Sequence, residues 1–241
     1  MATEPPGIEP PSAALQLLEG RIGAESLTLA LRMPALLRGA PRGDGSHVLV
    51  LPGFMANDAS TSALRAFLNA IGWRTHGWGQ GQNRGKMLTY LPPLTALIER
   101  YVEHQSRPMA LVGWSRGGVL ARELAREHPE LVSQVITMGS PVKGGVGATS
   151  IARFVERHTG LTAADLQRLQ RERDARPITT PITAIYSKTD GVVAWQACID
   201  DVSKNVEHVE VRGSHVGLGF NADVFAIVAR RLAGGTKRRL G

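Results

Sequence analysis

The succession of apolar and mixed segments along the chain predicts strands and helices in regular alternation. Short runs such as Val48–Leu51, directly after His47, and Met109–Val112 are continuously apolar, which is typical of strands buried on both faces of a sheet. Longer stretches with apolar positions three and four residues apart lie between them and predict helices. The predicted strands are 48–52, 73–78, 109–112, 133–138, 182–187 and 206–211, and helices are predicted near 60–71, near 90–105 and from 119 onward. Such alternation favours an α/β fold with a mostly parallel sheet and helices on both faces, because parallel strands need crossover connections.

The residues before the first strand follow a different pattern. The first 11 are rich in proline and predict a disordered lead, whereas 12–38 reads as an amphipathic helix with breaks near Gly23 and Pro34. Its apolar stripe is formed by Leu15, Leu18 and Ile22. We expect residues 1–46 to form an N-terminal extension packed on a core domain of residues 47–241. An anchor at a membrane interface is the alternative.

A second departure from regular alternation lies at about 143–180. This insertion predicts two helices, near 149–158 and 162–175, and Thr162 with Asp165 forms a capping-box pattern for the second. The first helix carries Ile151, Phe154 and Val155. These side chains either line a substrate pocket or hold the insertion on the core, and the sequence leaves both open.

The motif with the most chemistry is Gly113-Trp114-Ser115-Arg116-Gly117, between a predicted strand and a predicted helix. A G-x-S-x-G pattern in this context is typical of a nucleophile elbow, a strained turn that exposes the serine hydroxyl. Small neighbours are needed because the turn is tight. A structural turn serine is the alternative for Ser115.

Candidates for an acid and a base follow downstream. Asp190 lies in a glycine-containing turn directly after strand 182–187, where a turn aspartate without a catalytic role is the alternative. Asp200 and Asp201 are rivals, late in a segment from Trp195 that looks helical, where we expect solvated or capping residues. Of the seven histidines, His215 is the one in a glycine-rich loop after the last predicted strand. The others are placed in strands or at the polar ends of helices. A neutral imidazole can accept a serine proton near pH 7.

The order of these motifs resembles the α/β-hydrolase superfamily, in particular its small lipase and esterase members. Pro52-Gly53-Phe54 is similar to the family's His-Gly turn, with Pro52 in place of histidine, and 139–144 resembles a segment of many lipases. The resemblance implies a triad of Ser115, Asp190 and His215. It implies an oxyanion hole made of the backbone N–H groups of Phe54 and Arg116. It also implies that the insertion caps the site, while the lack of the family's opening hairpin before residue 47 suggests a reduced sheet.

The activity that the resemblance implies is hydrolysis of a small-molecule or lipid carboxylic ester through an acyl-enzyme. An acyltransferase or thioesterase using the same triad, and a non-catalytic binding module, are the alternatives. Apolar residues expected near the site favour an acyl substrate over a charged peptide. They are Phe54 and the candidate pocket residues Met55, Trp114, Phe154, Trp195 and Phe220.

Composition narrows the classes of partner. The net charge is +7, but acidic residues are interleaved with the basic ones, which argues against nucleic acid and leaves peripheral contact with an anionic membrane surface open. The single cysteine, Cys198, excludes an internal disulfide, and we expect a buried, inert thiol. The stretch 81–86 lacks the spacing of a phosphate-binding loop, and no metal or cofactor is expected. No secretion signal or membrane span is evident, so a cytoplasmic location is expected. The oligomeric state is left open.

Overall fold

The computed structural model describes residues 8–144, 146–159, 162, 165, 168, 172 and 175–237. The helices are α1 (Ala13–Leu17), α2 (Ile22–Gly39), α3 (Ser62–Ala70), α4 (Met87–Gln105), α5 (Arg116–Glu127), α6 (Ala152–Thr159) and α7 (Ala222–Lys237). The strands are β1 (His47–Leu51), β2 (Arg74–Gly77), β3 (Met109–Trp114), β4 (Val132–Met138), β5 (Ile182–Ser187) and β6 (Val206–Val211). Short 3₁₀ turns cover Leu18–Arg21, Asp58–Thr61, Val146–Ala148, Trp195–Cys198 and Gly217–Phe220.

The strands form one six-stranded sheet in the order β2-β1-β3-β4-β5-β6, with every neighbouring pair parallel. The predicted fold class is therefore confirmed. The chain moves from β1 to one edge of the sheet and then back across it, so the strand order reverses between β1 and β3. In open parallel sheets such a reversal leaves a crevice at the carboxyl ends of the strands, where ligands bind. The edges of the sheet are β2 and β6.

Strands β1 and β3 are almost entirely apolar because both faces of the sheet are covered. In β1, Val48 and Val50 join an apolar cluster with α2, α3 and α7, while Leu49 and Leu51 join a second cluster with α4 and α5. This alternation is the two-residue period of a strand. Each of these four side chains has no exposed surface. Burying one such side chain stabilises the fold by about 1.5–3 kcal/mol.

The N-terminal helices differ in detail from the prediction. The predicted break near Pro34 is wrong, because α2 runs through that residue. The break predicted near Gly23 corresponds to the 3₁₀ turn Leu18–Arg21, which ends directly before α2 begins at Ile22. Pro34 and the position four residues before it are exposed, so the carbonyl that loses its helical partner can face water. The buried contacts of α2 come from Leu29 and Leu36, whereas Leu18 of the predicted stripe is 43% exposed.

Two further segments were predicted as helical. The first helix of the insertion is α6, while most of the predicted helix 162–175 lies outside the described residues. Thr162 and Asp165 are described and exchange the reciprocal bonds of a capping box, with the Asp165 N–H donating to the Thr162 hydroxyl at 3.2 Å and the Thr162 N–H donating to the Asp165 carboxylate at 3.1 Å. The segment from Trp195 is not a helix that reaches Asp200, because it ends as a 3₁₀ turn at Cys198.

In the part of the chain that the structure covers, none of the helices combines the length and the hydrophobicity that crossing a bilayer requires.

Cys198 is buried, at 3% exposure, as predicted. Burial raises the pKa of its thiol well above the usual value, so the thiol stays protonated and unreactive.

Candidate active site

Ser115 lies at the sharp turn between β3 and α5. Its φ of 52° and ψ of −123° fall in a region that side chains rarely occupy, so the turn is strained. The Ser115 N–H donates to the carbonyl of Met138 at 2.8 Å, which ties the turn to the neighbouring strand β4. A Cβ on Gly117 would lie 2.6 Å from the carbonyl oxygen of Pro52, so this position of the motif requires glycine. The predicted strand–turn–helix context of Ser115 is present.

The turn Pro52–Met55, which follows β1, lies beside Ser115. A Cβ on Gly53 would be 3.3 Å from the Ser115 Cβ, so the two turns are in contact. Two backbone bonds shape the turn: the N–H of Met55 donates to Asn83 at 2.7 Å, and the N–H of Ala56 donates to Gly53 at 3.1 Å. Neither bond uses the N–H of Phe54. The turn therefore has a backbone donor group next to the serine.

Asn83 holds this turn from the glycine-rich stretch 81–86. Its side chain is fully buried and donates to the carbonyl of Pro52 at 2.9 Å, while its Oδ1 accepts from the N–H of Gly85 at 3.0 Å. The Arg116 guanidinium donates to the carbonyl of Gly85 at 3.3 Å. The stretch that lacks the spacing of a phosphate loop thus supports the turn after β1. Its glycines gave no signal for that role in the sequence.

Asp190 and His215 meet after β5 and β6. His215 Nδ1 lies 2.6 Å from Asp190 Oδ2, and the two residues are only 6% and 2% exposed. The other carboxylate oxygen, Oδ1, accepts the N–H groups of Val192 and Val193 at 2.8 and 2.7 Å. These bonds fix the carboxylate, so that the imidazole orients towards it. Gly139, at φ +57°, passes so close that a Cβ there would lie 3.1 Å from His215 Nδ1.

The surroundings of His215 change the pKa of its imidazole. Burial lowers its pKa, but the charge of Asp190, the hydrogen bond to Asp190 and the charge of Glu19 outweigh burial, so the pKa is raised above its usual value. The indole Nε1 of Trp114 donates to the carbonyl of His215 at 3.1 Å. Because Trp114 precedes Ser115, this bond joins the histidine loop to the serine turn at the carboxyl ends of the strands.

The rival carboxylates have other partners. Asp200 is 7% exposed and forms a buried ion pair with Arg122, while its Oδ1 accepts the N–H groups of Val202 and Ser203. Burial raises the pKa of Asp200, but the charge of Arg122 and these bonds outweigh it and lower the pKa to about 2. Asp200 is therefore not solvated, but its bonds to the N–H groups two and three residues later are those of the expected capping residue. Asp201 is exposed and pairs with Lys143 at 2.7 Å.

Two of the other histidines form a pair of their own. His76 Nε2 lies 3.0 Å from His47 Nδ1 across β1 and β2, and Tyr101 lies against both rings. Burial, with a smaller contribution from the charge of His47, lowers the pKa of His76 to about 4. His208 accepts the N–H of Asp200 at 2.9 Å. None of these contacts involves Ser115.

The pocket residues expected from the sequence are distributed unevenly. Phe54 meets Phe154 of α6 edge-on at 5.7 Å, so the insertion covers the turn after β1. Met55 lies in the same turn, at φ +60°. Trp114 is 7% exposed behind His215, and Phe220 packs against the same apolar cluster. The Trp195 ring stacks on Tyr186 at 5.9 Å and has the Lys188 ammonium at 5.5 Å, so its contacts lie on β5 and the loop after it.

The sequence analysis missed a group of charged residues in the N-terminal extension. Glu19 accepts backbone N–H groups from the loops of both Asp190 and His215, and Glu25 accepts from Ser214. Arg21 donates to Thr189. No local signal could have identified them, because their partners lie more than 160 positions away along the chain. Among the described residues, no group of three or more His, Cys, Asp or Glu side chains is arranged to hold a metal ion.

Comparison with known proteins supports the same architecture, although no family model matches the chain. A structure of the metagenome-derived lipolytic enzymes LipS and LipT superposes with a TM-score of 0.61 at 17% identity, over 82% of this chain and 96% of that one. A thioesterase domain from the curacin biosynthetic pathway superposes with a TM-score of 0.54 at 16% identity, over 80% of this chain and 93% of that one. The chain has the α/β-hydrolase fold. The resemblance seen in the sequence is confirmed at this level.

Two curated proteins are similar to this chain in sequence, and both are named pimeloyl-[acyl-carrier protein] methyl ester esterase. The protein from Aromatoleum aromaticum is 24% identical over 192 residues, which is 57% of this chain and 77% of the relative. The protein from Aeromonas hydrophila subsp. hydrophila is 31% identical over 103 residues, which is 41% of this chain and 39% of the relative. Within the α/β-hydrolase fold, the candidate residues of this chain follow the carboxyl ends of β1, β3, β5 and β6.

Proposed function

We propose that the protein is a serine hydrolase that cleaves carboxylic esters through an acyl-enzyme intermediate. The observation that carries the proposal is the buried contact of 2.6 Å between His215 Nδ1 and Asp190 Oδ2. The contact lies at the carboxyl ends of the strands, where Ser115 occupies a strained turn. Each residue alone has a structural alternative. Their arrangement supports the proposal because it fits the acid–base–nucleophile order of a serine triad.

In this mechanism the Ser115 hydroxyl attacks the ester carbonyl. His215 Nε2 accepts the hydroxyl proton, while Asp190 accepts a hydrogen bond from Nδ1–H and so keeps the proton-free nitrogen directed to the serine. The positive charge that forms on the imidazole is stabilised by the Asp190 carboxylate. His215 then returns the proton to the leaving alcohol. In the second half of the reaction, water attacks the acyl-enzyme with His215 again as the base, which releases the acid and restores Ser115.

Negative charge develops on the carbonyl oxygen during the attack. The N–H of Phe54, in the turn beside Ser115, and the N–H of Arg116, at the start of α5, are the proposed donors to it. Backbone donors suit this role because they are oriented before the charge appears. A single donor of this kind contributes a factor of about 10²–10³ in kcat.

The substrate class follows from the surroundings and the relatives. Phe54 and Phe154 border the proposed oxyanion turn with apolar surface, which fits an acyl chain. The relatives are named for a methyl ester, so methyl and other short-alcohol esters of aliphatic acids are the first substrates to examine. A thioesterase or acyltransferase would use the same residues, and the acyl acceptor distinguishes them.

The test is hydrolysis of p-nitrophenyl esters from acetyl to palmitoyl, together with aliphatic methyl esters and acyl thioesters. Wild type is compared with Ser115→Ala and with a matched control, Ser133→Ala, which removes a serine from the opposite end of the sheet in β4. We expect Ser115→Ala to lose at least about 10³-fold in kcat and the control to keep wild-type activity. Hydrolysis of esters that persists in Ser115→Ala would overturn the proposal. Turnover of thioesters alone, or faster release of the alcohol when an acceptor is added, would replace it with the corresponding alternative.

A further inference from the structure

One carboxylate of the N-terminal extension bridges the two loops that carry Asp190 and His215. Glu19 lies in the 3₁₀ turn Leu18–Arg21, and its Oε1 accepts the N–H of Gly191 at 2.8 Å and the N–H of His215 at 2.7 Å. Its Oε2 accepts the N–H of Val216 at 3.0 Å. Gly191 directly follows Asp190. Glu19 therefore binds the backbone on the acid side and on the base side of the pair at once.

Neighbouring residues of the same segment reinforce the bridge. Glu25 accepts the N–H and the hydroxyl of Ser214 at 2.8 and 2.5 Å, directly before His215. Arg21 donates to the carbonyl and hydroxyl of Thr189 at 3.0 and 2.7 Å, directly before Asp190. Arg21 and Glu25 also pair with each other at 3.1 Å. The backbone on both sides of Asp190 and of His215 is thus held by the N-terminal segment.

The approach of this segment is close enough to require glycine in the acid loop. A Cβ on Gly191 would lie 2.8 Å from the carbonyl carbon of Leu15 and 2.9 Å from the Cα of Gln16. Without a side chain at 191, the N–H of that residue can reach Glu19. The contact therefore depends on both Glu19 and the glycine at position 191.

We propose that Glu19 is a positioning residue of the active site, which sets the separation and orientation of Asp190 and His215 by binding their loops. The inference rests on the proposed function. Hydrogen bonds from N–H groups to a carboxylate are stronger than those between neutral groups. A loss of position of about 1 Å at a reacting group can lower turnover by about 10²-fold.

Glu19 also acts through its charge. The charged groups facing His215 are Asp190 from the loop after β5 and Glu19 from the extension, and both raise the pKa of the imidazole. Glu25 and Arg21 contact only the adjoining residues. Removing the Glu19 charge therefore lowers the pKa of His215, and a residue that served folding alone would leave that pKa unchanged.

The test uses the full chain with Glu19→Gln and Glu19→Ala, beside the control Glu103→Gln, which removes the same charge from an exposed position of α4. The glutamine has nearly the same shape as the glutamate, but its amide NH₂ group would face the N–H of Val216, so that two donors would meet. We measure kcat and KM against pH on the best p-nitrophenyl ester, and Tm by circular dichroism. We expect kcat to fall about 10- to 100-fold with KM changed less than about threefold. The acid limb of the pH profile should move to lower pH, and Glu103→Gln should match wild type.

The outcomes separate this inference from the function on which it rests. If Ser115→Ala and His215→Ala retain activity, the proposed function is wrong and the positioning role falls with it. If those variants are inactive while Glu19→Gln keeps wild-type kcat and acid limb, the positioning role is wrong and the function stands. A lowered Tm with unchanged kcat and acid limb would likewise overturn the positioning role, because Glu19 would then serve folding alone. Should Glu19→Ala fail to fold, Glu19→Gln decides.

Discussion

A methyl group added at Gly117 tests how closely α5 packs on the end of β1. In Gly117→Ala the new Cβ would lie 2.6 Å from the carbonyl oxygen of Pro52 and closer still to that of Leu51, whereas real Cβ atoms essentially never come within 3.0 Å of another heavy atom. The Pro52 carbonyl must therefore move by at least 0.4 Å, from 2.6 Å to 3.0 Å. Overpacking of this kind costs about 1–3 kcal/mol in the free energy of unfolding. The same movement displaces Phe54, two residues further along, whose N–H is a proposed oxyanion donor.

The assay combines thermal unfolding with ester turnover. We expect Tm to fall by about 2–12 °C, since 1 kcal/mol corresponds to about 2–4 °C for a chain of this size. We expect kcat to fall about 10- to 100-fold, because a donor displaced by a fraction of an ångström to 1 Å loses much of its effect. The matched control is Gly23→Ala in α2, where nothing lies within 4 Å of the added Cβ and a small gain in stability is expected. Wild-type Tm and kcat in Gly117→Ala would refute the described contact.

Individual contacts lead to three further predictions. Asp190→Asn should lower kcat by about 10⁴-fold because it favours the wrong histidine tautomer. Asp200→Asn should keep kcat, but its free energy of unfolding in urea should fall by about 3–5 kcal/mol because the Arg122 charge loses its buried partner. Equal loss of kcat in both variants would contradict the assignment of the acid. The pKa of His76 is about 4 in the folded protein and near 6.5 in the unfolded chain, so the contribution of neutral His76 to stability is complete above pH 6.5 and is lost as the pH falls towards 4. After allowance for solvent screening, the free energy of unfolding should fall by about 1–2 kcal/mol over this range. This loss should be absent in His76→Phe. Cys198 should react with iodoacetamide only after unfolding, and rapid alkylation of the native protein would show that its burial is wrong.

The parts of the fold that could be predicted from the sequence depend on short-range patterns. Strands such as β1 and β3 follow from continuous apolar runs, here Val48–Leu51 and Met109–Val112, because a strand covered on both faces has no polar side. Ser115 could be located because a nucleophile elbow needs small residues at fixed positions around it. His215 and Asp190 could be chosen by their place after predicted strands, and their contact of 2.6 Å agrees with that choice, although their catalytic roles stay a prediction.

The features that escaped prediction depend on contacts between distant segments. The role of Glu19 rests on amides at positions 191, 215 and 216, and a lone glutamate in a helical stretch carries no sign of such partners. The burial of Asp200 depends on Arg122, which lies in α5 on a helix face that reads as solvated. The helix through Pro34 also escaped, because a proline is tolerated when its neighbourhood faces solvent and the buried face of the helix is continuous.

The two edges of the sheet bear on how the chain avoids associating with its own copies. A parallel sheet with open edges offers unpaired backbone groups that another chain could extend. Here β2 has only four residues and starts at the exposed Arg74, while β6 carries the exposed carboxylates of Glu207 and Glu210. These carboxylates form ion pairs with Arg231 and Lys188, so pairing of β6 with a second chain would have to remove water from charged side chains along this edge. Each edge therefore discourages growth of the sheet from one molecule into the next, which favours solubility while newly made chains fold.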